Sequence, residues 1–238
     1  MNIIVKDNYT LMSAKAADVL IELIIDKPNS VIAWATGRTP IGLYQELTDE
    51  IKQGELSFKE IISFNLDDYV GVPSDHPASF HLYMKQHLFD LADIKPANIY
   101  LLDGNSDDLE WQCQDYEHLI KQAGGLDIAV LGIGRNGHIA FNEPGTSFDS
   151  RTHLVDLANS TREDLAKDFA SGQAPRQGIT IGLGTIMEAK HIILLASGRA
   201  KENIIKKALH GPITPTVPAS ILQKHAQVTV ILDQAAAG

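Results

Sequence analysis

A stretch rich in glycine, amide, imidazole and carboxylate groups follows an apolar segment in the middle of the chain. Residues 126–131 have the length and composition of a buried strand, and glycines follow at positions 132, 134 and 137. Such glycines allow sharp turns and a close approach of the backbone to a ligand. Asn136, His138 and Glu143 come next, and these side chains can orient an imidazole and pass protons. The stretch predicts an active-site loop at the end of a strand.

The spacing of the three glycines also matches the Gly-x-Gly-x-x-Gly fingerprint of dinucleotide-binding proteins. That fingerprint has to open a long helix, whereas Pro144 and Gly145 stop any helix within two turns. The chain has no nucleophile elbow, no Ser/His/Asp arrangement that stands out, and no ligand spacing typical of zinc. The pattern therefore argues against a dinucleotide site and against a zinc site.

Two adjacent carboxylates, Asp67 and Asp68, follow the apolar segment 61–65. If the backbone is still extended there, the two side chains point to opposite sides, so only one can face a given ligand. A carboxylate held beside a substrate C–H group can act as a general base. A hard metal ion would need further oxygen ligands, and no second acidic cluster is evident. On this segment alone, a general base and a solvated turn are equally good interpretations.

Two segments have the order of a strand, a short loop and a helix start, which is typical of anion-binding sites. In the first, an apolar strand at 30–35 precedes the loop Thr36–Pro40 and a helix predicted from 41 to 51. An ordinary strand-to-helix turn is the alternative for that loop. In the second, Lys201 stands at the start of a helix that follows an apolar strand at 191–196, where the helix dipole disfavours a cation. An anionic ligand would explain this lysine.

Strands alternate with helices along the chain, which predicts an α/β protein with a mainly parallel, doubly wound, Rossmann-like sheet and helices on both faces. We expect residues 1–238 to form one domain, with the final strand at 227–232 lying at an edge of the sheet. Residues 146–177 are polar and predict irregular structure, with a weak helical signal at 162–169. This segment is interpreted either as a lid over the site or as a surface excursion.

Composition restricts the possible partners. The 238 residues carry a formal net charge of −10, which gives no general attraction to nucleic acid or to an anionic membrane. The single cysteine, Cys113, cannot form an internal disulfide and fits a reducing compartment. The N-terminal residues lack the pattern of a signal peptide, and no apolar run reaches membrane-spanning length. These features predict a cytoplasmic protein with no membrane or nucleic-acid partner.

Four motifs, taken together, resemble the glucosamine-6-phosphate deaminase family. They are Thr36-Gly-Arg-Thr-Pro40, Phe64-Asn-Leu-Asp-Asp-Tyr-Val-Gly71, Gly137-His-Ile-Ala-Phe-Asn-Glu-Pro144 and Ser197-Gly-Arg-Ala-Lys201. They occur in the family's order and spacing, so the resemblance covers nearly the whole chain. The third motif is the most specific, because the related 6-phosphogluconolactonases, which share the fold, typically continue Gly-His with Thr-Ala-Ser.

The resemblance implies conversion of glucosamine 6-phosphate and water to fructose 6-phosphate and ammonia, without an organic cofactor or a metal. It implies that His138 opens the sugar ring, that Asn136 and Glu143 orient and polarise His138, and that Asp67 moves the C2 proton to C1. The phosphate would be held by loop residues and two lysines: Thr36, Gly37, Arg38, Thr39, Lys167 and Lys201.

The chain departs from the family pattern at several positions. Asn136 stands where many members have aspartate, and an amide cannot stabilise an imidazolium by charge, so Glu143 becomes the main carboxylate partner of His138. Arg38 replaces a common glycine, and Lys167 replaces an arginine of hexameric members. His153 and Val155 stand where allosteric hexamers carry cations, and the chain ends soon after its last strand. We therefore expect a monomer or small homo-oligomer that N-acetylglucosamine 6-phosphate does not activate.

Two other functions are compatible with the same motifs. A lactonase on this fold would hydrolyse 6-phosphogluconolactone and would need no base at C2. A sugar-phosphate sensor would bind ligand without releasing ammonia, but it would be expected to lack the aspartate base or the histidine, and this chain has both Asp67 and His138.

Overall fold

The computed structural model describes residues 1–238 and contains two sheets, one of seven strands and one of three. The strands are β1 (Asn2–Lys6), β2 (Val31–Trp34), β3 (Ile62–Asn65), β4 (Asp67–Tyr69), β5 (Ile99–Tyr100), β6 (Ile128–Leu131), β7 (His153–Asp156), β8 (Gln177–Thr180), β9 (His191–Ala196) and β10 (Val228–Asp233). The α-helices are α1 (Tyr9–Asp26), α2 (Ile41–Gln53), α3 (Phe80–Met84), α4 (Leu109–Gln122), α5 (Asn159–Leu165), α6 (Leu183–Met187), α7 (Glu202–His210) and α8 (Gln234–Ala237).

Several helices are extended or preceded by short turns of other helix types. A π-helical turn continues α3, and 3-10 turns occur at four places along the chain: Pro96–Asn98, Ala166–Asp168, Arg199–Lys201 and Pro218–Lys224. Helix α1 begins after Asn8, whose side chain accepts a hydrogen bond from the N–H group of Leu11. No helix combines the length and the apolar character needed to cross a membrane.

The large sheet is parallel throughout and has the order β1-β10-β9-β6-β2-β3-β5. From β2 the chain proceeds outward through β3 to β5, and from β6 it proceeds in the opposite direction through β9 to β10. The order therefore reverses between β2 and β6, and ligands of open α/β sheets bind at such a reversal, beyond the carboxyl ends of the strands. The predicted fold class, a mainly parallel doubly wound sheet, is confirmed.

The sheet separates two hydrophobic cores, which is why its strands read as continuous apolar runs in the sequence. On β2, Val31 and Ala33 face a core of 33 buried residues, while Ile32 and Trp34 face a second core of 21. Each core needs every second residue of the strand to be apolar, so a strand buried on both faces shows no polar alternation.

The prediction that the final strand lies at an edge was wrong. β10 pairs with β1 on one side and with β9 on the other, and all six of its residues are buried. The edge on this side of the sheet is β1, where Ile3 and Val5 are exposed. β10 lies inside the sheet because the N-terminal strand β1 pairs with its outer side. A pairing across more than 200 residues leaves no local signal in the sequence.

The prediction of irregular structure over residues 146–177 was wrong for part of the segment, while its weak helical signal at 162–169 coincides with the end of α5 and the 3-10 turn Ala166–Asp168. This segment contains β7 and α5, and β7 joins β8 and β4 in an antiparallel sheet of order β4-β8-β7. A separate small core of seven buried residues, mostly aromatic, lies on this sheet; it includes Tyr69, Phe80, Phe141 and Phe169. β7 alternates between half-buried and exposed residues, and its strand partner β8 lies more than 20 residues later in the chain.

Candidate active site

Loops from four strands meet at the carboxyl edge of the large sheet around a cavity of about 780 Å³. The loops after β2 and β6 flank the point where the strand order reverses, and the segments after β3 and β9 lie beside them. Helix α5 and the 3-10 turn after it also line the cavity. The position agrees with the general rule for open α/β sheets.

The loop after β2 is held from behind by two tyrosines. The hydroxyl of Tyr9 accepts a hydrogen bond from the N–H group of Gly42 at 2.8 Å and lies 3.1 Å from the carbonyl oxygen of Thr39. The hydroxyl of Tyr83 donates to the carbonyl oxygen of Gly37 at 2.5 Å. These hydrogen bonds fix the carbonyl groups of the loop so that they face α1 and α3. Helix α2 begins directly afterwards at Ile41, so its positive dipole end and the first-turn N–H groups other than that of Gly42 lie beside the cavity.

Four cationic side chains line the cavity: Arg38, Arg135, Lys167 and Lys201. Arg38 is largely exposed and lies 3.4 Å from the carboxylate of Asp168, next to Lys167. Lys201 donates from Nζ to the carbonyl oxygen of Ile133 at 2.7 Å, which ties the 3-10 turn after β9 to the loop after β6. Burial lowers the pKa of the Lys201 ammonium. A cation held partly out of water in this way attracts an anion more strongly than a solvated one does.

Asp67 lies where the chain leaves the large sheet and enters the small one. The carbonyl of Leu66 already accepts a hydrogen bond from the N–H group of Ile181, and Asp67 pairs with Thr180 in the antiparallel sheet. The Asp67 side chain is 6% exposed, lines the cavity, and has a buried Oδ1 without a hydrogen-bond partner. Burial, reinforced by the neighbouring charge of Asp68, raises the pKa of Asp67 to about 8.

Asp68 points away from the cavity, as the alternation of an extended strand predicts. Its Oδ2 atom lies 3.3 Å from Nε2 of His81, which also lies 2.8 Å from the carbonyl oxygen of Leu102. Burial acts to lower the pKa of His81, but the hydrogen bond to Asp68 and the contact with Leu102 outweigh it and raise the pKa. Two adjacent carboxylates are thus placed in opposite surroundings, one paired and one facing the cavity.

The imidazole of His138 packs directly on the backbone of Gly134. A Cβ atom at position 134 would lie 2.2 Å from Cε1 of His138, so only glycine fits there. The N–H group of Gly134 also donates to the carbonyl oxygen of His138 at 2.9 Å, which closes the loop. The predicted role of this glycine was close approach to a ligand; what it makes room for is the histidine ring. His138 lines the cavity, and its side chain is 19% exposed.

Glu143 lies behind His138 and is buried. Its Oε2 atom accepts a hydrogen bond from Nδ2 of Asn136 at 2.7 Å and lies 3.5 Å from Nδ1 of His138, while Oε1 accepts from the N–H group of Ala158 at 3.1 Å. Burial acts to raise the pKa of Glu143, but the contacts with His138, Thr161 and Asn136 outweigh it and lower the pKa. These contacts therefore favour the ionised form of Glu143.

Asn136 contacts the backbone of His138 and not its ring. Its Oδ1 atom accepts a hydrogen bond from the N–H group of His138 at 3.1 Å, and its Nδ2 atom donates to Glu143 and to Ser160. Asn136 thus orders the loop and holds the carboxylate that faces the imidazole. Thr161 makes the closest side-chain contact with the ring, at 3.2 Å from Oγ1 to Nδ1.

The turn after His138 is held by the small sheet. Asn142 is fully buried and donates to the carbonyl oxygens of Ile139 and Ile181, and the N–H group of Phe141 donates to Oγ1 of Thr180. Ala140 has a left-handed backbone with φ of 49°, a conformation that costs free energy outside glycine and that persists where the surroundings enforce it. The same sheet therefore positions both His138 and Asp67.

Eight of the ten predicted site residues line one cavity: Thr36, Gly37, Arg38, Thr39, Asp67, His138, Lys167 and Lys201. The other two, Asn136 and Glu143, lie behind His138. Residue types and spacing did not identify Thr161, the His81–Asp68 pair or the tyrosines Tyr9 and Tyr83, because each contributes through contacts with distant segments. No group of three or more histidine, cysteine, aspartate or glutamate side chains is arranged to hold a metal ion.

The sequence is similar to known proteins over nearly its whole length. It is 49% identical to glucosamine-6-phosphate deaminase of Geobacillus sp. (strain WCH70) over 98% of this chain and 94% of that protein. It is 47% identical to glucosamine-6-phosphate deaminase of Halothermothrix orenii over 100% of this chain and 99% of that protein.

Solved structures show the same relationship. A monomeric glucosamine-6-phosphate deaminase superimposes with a TM-score of 0.97 at 44% identity, covering 100% of this chain and 99% of that one. The 6-phosphogluconolactonase of Trypanosoma brucei superimposes with a TM-score of 0.79 at 21% identity, covering 99% and 97%, a likeness that concerns the fold alone. A family model, glucosamine-6-phosphate isomerases/6-phosphogluconolactonase, matches residues 8–231. The chain belongs to this family of glucosamine-6-phosphate isomerases and 6-phosphogluconolactonases.

Proposed function

We propose that this protein is a glucosamine-6-phosphate deaminase, which converts glucosamine 6-phosphate and water to fructose 6-phosphate and ammonia. The observation that carries the proposal is that an unpaired carboxylate, Asp67, and an imidazole, His138, line one cavity that Lys167 and Lys201 also line. The similarity to proteins named for this activity, at 44–49% identity over nearly full length, supports the same conclusion.

The phosphate group is the anchor of the substrate. The N-terminus of α2, the hydroxyls of Thr36 and Thr39, and the ammonium groups of Lys167 and Lys201 supply complementary charge and hydrogen-bond donors. Arg38 lies in the same loop as Thr36 and Thr39 and adds a positive charge to this phosphate site. Binding energy from this remote group holds the reacting carbons in place, which lowers the entropic part of the barrier.

Ring opening requires a proton to leave the anomeric hydroxyl and another to reach the ring oxygen. His138 performs both transfers, because a neutral imidazole accepts a proton and the imidazolium returns it. Glu143, which stays ionised, stabilises the imidazolium from behind at 3.5 Å. The product of this step is the open-chain aldehyde with an amine on C2.

Isomerisation then moves a proton from C2 to C1. Asp67 takes the C2 proton while the ammonium group on C2 passes a proton to the aldehyde oxygen, which gives an enolamine. Asp67 then delivers its proton to C1, which leaves a protonated imine at C2. The raised pKa of Asp67, about 8, suits a group that must hold a proton between two carbons. The ammonium group of the bound substrate favours the carboxylate form that starts the step. Water adds to the imine, ammonia leaves, and C2 becomes the ketone of fructose 6-phosphate.

This scheme needs neither an organic cofactor nor a metal, and it classes the overall reaction as isomerisation with hydrolytic loss of ammonia. We also propose that the protein works in the cytoplasm in amino-sugar breakdown, as a monomer or small homo-oligomer without activation by N-acetylglucosamine 6-phosphate. Its likeness to a monomeric relative supports the low oligomeric state. A hyperbolic rate curve that this effector leaves unchanged is the expected result.

A lactonase is the alternative within the family. Hydrolysis of 6-phosphogluconolactone needs a histidine and a phosphate site but no base at C2, so it assigns no task to Asp67. The solved lactonases are only 20–23% identical to this chain, and the likeness concerns the fold. A sugar-phosphate sensor likewise leaves both Asp67 and His138 without a task.

The decisive experiment measures ammonia release from glucosamine 6-phosphate by the wild type, Asp67→Asn and His138→Gln. We expect activity in the wild type and a loss of about 10²- to 10⁴-fold in each variant, which is the usual contribution of acid–base catalysis. 6-Phosphogluconolactone serves as the parallel substrate. Lactone hydrolysis that survives in Asp67→Asn, with no ammonia release from the wild type, would establish the lactonase instead.

A further inference from the structure

The imidazole of His138 can accept the sugar proton at only one of its nitrogens. Nδ1 faces Thr161 and Glu143, so Nε2 is the nitrogen left for the substrate. Nε2 can accept a proton only in the tautomer whose hydrogen is on Nδ1, and that tautomer requires a hydrogen-bond acceptor at Nδ1. The identity of that acceptor therefore decides whether His138 is ready to react.

Glu143 is poorly placed to be this acceptor by itself. Its closest oxygen is 3.5 Å from Nδ1, which is longer than the usual 2.7–3.2 Å of such a bond. That oxygen already accepts the amide of Asn136 at 2.7 Å, and the other accepts the N–H group of Ala158. Glu143 thus acts on His138 mainly through its charge.

Thr161 meets the requirement. Its Oγ1 atom lies 3.2 Å from Nδ1 of His138, and the proximity of Thr161 contributes to the lowered pKa of Glu143. A hydroxyl has one donor and two acceptor positions, so it can accept from an imidazole and donate to a carboxylate at once. The residue is 3% exposed, so water does not compete strongly for either contact.

The fold holds this hydroxyl in place. Thr161 is on α5, and the N–H group of Ala158, at the start of that helix, donates to Glu143. The side chain of Ser160 accepts from Asn136 at 3.2 Å. Ala158 and Ser160 are thus bonded to Glu143 and Asn136, the two residues that hold the His138 loop, which leaves Thr161 little freedom to move away from Nδ1.

We propose that Thr161 is a positioning residue, whose hydroxyl accepts a hydrogen bond from Nδ1–H of His138 and donates one to Glu143. The relay leaves Nε2 of His138 free to take the anomeric proton, and it passes part of the Glu143 charge to the imidazolium that results. This inference rests on the proposed deaminase function for its kinetic consequence. The hydrogen bonding itself is a property of the free protein.

The kinetic test compares Thr161→Val, which keeps the shape but removes the hydroxyl, with Thr161→Ser, which keeps the hydroxyl. We expect Thr161→Val to lower kcat about 10- to 100-fold with little change in KM, because the lost bond orients a charged group and does not touch the phosphate. We expect Thr161→Ser to stay within about threefold of the wild type. Thr48→Val is the matched control, since Thr48 is equally buried and its hydroxyl bonds only to the carbonyl of Gln45.

A second measurement does not depend on activity. The imidazole ¹⁵N resonances of His138, assigned by their loss in His138→Gln, report the tautomer of the free protein at alkaline pH. We expect the Nδ1–H tautomer in the wild type and in Thr161→Ser, and a mixture in Thr161→Val. An Nε2–H tautomer in the wild type would overturn the inference, whether or not Thr161→Val folds.

The two measurements separate this inference from the proposed function. A wild type that releases ammonia, with Thr161→Val equally active and unchanged in its tautomer, would refute the role of Thr161 and leave the deaminase standing. A wild type that releases no ammonia but shows the expected tautomer change would refute the deaminase and leave the hydrogen-bond relay standing.

Discussion

Asp67 and Glu143 are both buried carboxylates beside the same cavity, yet the two regions that hold them act in opposite ways. At the start of β4, Asp67 has an oxygen without a partner and a carboxylate neighbour, and its pKa rises to about 8. Behind the loop after β6, Glu143 accepts bonds at both oxygens and faces an imidazole, and its pKa is lowered.

The difference shows that burial alone does not decide the state of a carboxylate. Burial acts to raise the pKa in both cases, and the number of donors at the carboxylate determines which way the balance falls. A site that needs one proton carrier and one permanent charge can therefore use the same functional group twice. The surroundings assign the two tasks.

The largest expected effect is a difference in kcat between a variant of Asp67, the proton carrier, and a variant of Glu143, the permanent charge. We expect Asp67→Asn to lower kcat by about 10²- to 10⁴-fold, because the variant cannot carry the C2 proton. We expect Glu143→Gln to lower kcat by about 10- to 100-fold, because it loses only the charge that stabilises the imidazolium. Steady-state ammonia release from glucosamine 6-phosphate gives both values, and equal losses would mean that the two carboxylates are not divided in this way.

Gly134→Ala tests whether His138 needs the space beside it. The added Cβ would lie 2.2 Å from the imidazole, so we expect the ring to be displaced and kcat to fall by about 10²-fold, the lower limit for losing an acid–base group. The control is the double variant with His138→Gln. If the glycine acts only through the ring, the double variant is no less active than His138→Gln alone.

The comparison also predicts opposite effects on stability. Between its ordinary value of 3.8 and about 8, Asp67 is protonated in the folded state and ionised in the unfolded state, so stability falls as pH rises through this window. Asp67→Asn has no carboxyl group at this position, so its stability does not fall with pH for this reason. We expect it to be more stable than the wild type by about 2 kcal/mol or more at pH 8, roughly 4 °C in Tm, with no gain near pH 4.

Glu143→Gln should behave in the reverse manner. The lowered pKa of Glu143 contributes stability at neutral pH that disappears as pH falls through that pKa. We therefore expect the variant to be less stable than the wild type by about 1 to 3 kcal/mol at pH 7, with a gap that narrows in acid. Thermal unfolding of the wild type and both variants from pH 4 to pH 8 measures the two trends, and parallel curves for all three proteins would contradict them.

The smallest expected effect concerns Asp68, whose charge is the minor cause of the raised pKa of Asp67. Asp68→Asn removes that charge, so the rise of kcat/KM with pH should move to lower pH while its shape is kept. The shift should be small, because burial of Asp67 is unchanged and His81 has lost the partner that raised its pKa. A profile that moves to higher pH would show that the His81–Asp68 pair acts on Asp67 mainly through the histidine.

Local sequence signals were sufficient for the fold class and for most of the cavity lining. The apolar runs predicted the parallel sheet, and the loops Thr36–Thr39 and 132–145 follow the two strands at which the strand order reverses. The alternation of Asp67 and Asp68 followed from strand geometry. In contrast, Thr161 carried no signal, since nothing in a polar segment distinguishes a threonine that contacts an imidazole 23 residues earlier.

Residue type and order along the chain were enough to determine which chemical groups this protein has: an imidazole on a glycine loop, a pair of neighbouring carboxylates and two cationic loops. Only the folded chain decided the state of those groups. β4, β7 and β8 bring together segments more than 80 residues apart, and this small sheet holds Asp67 away from water and the His138 turn beside it. The pKa of a carboxyl group depends on the solvent and donors that surround it, and those are set by contacts between distant parts of the sequence.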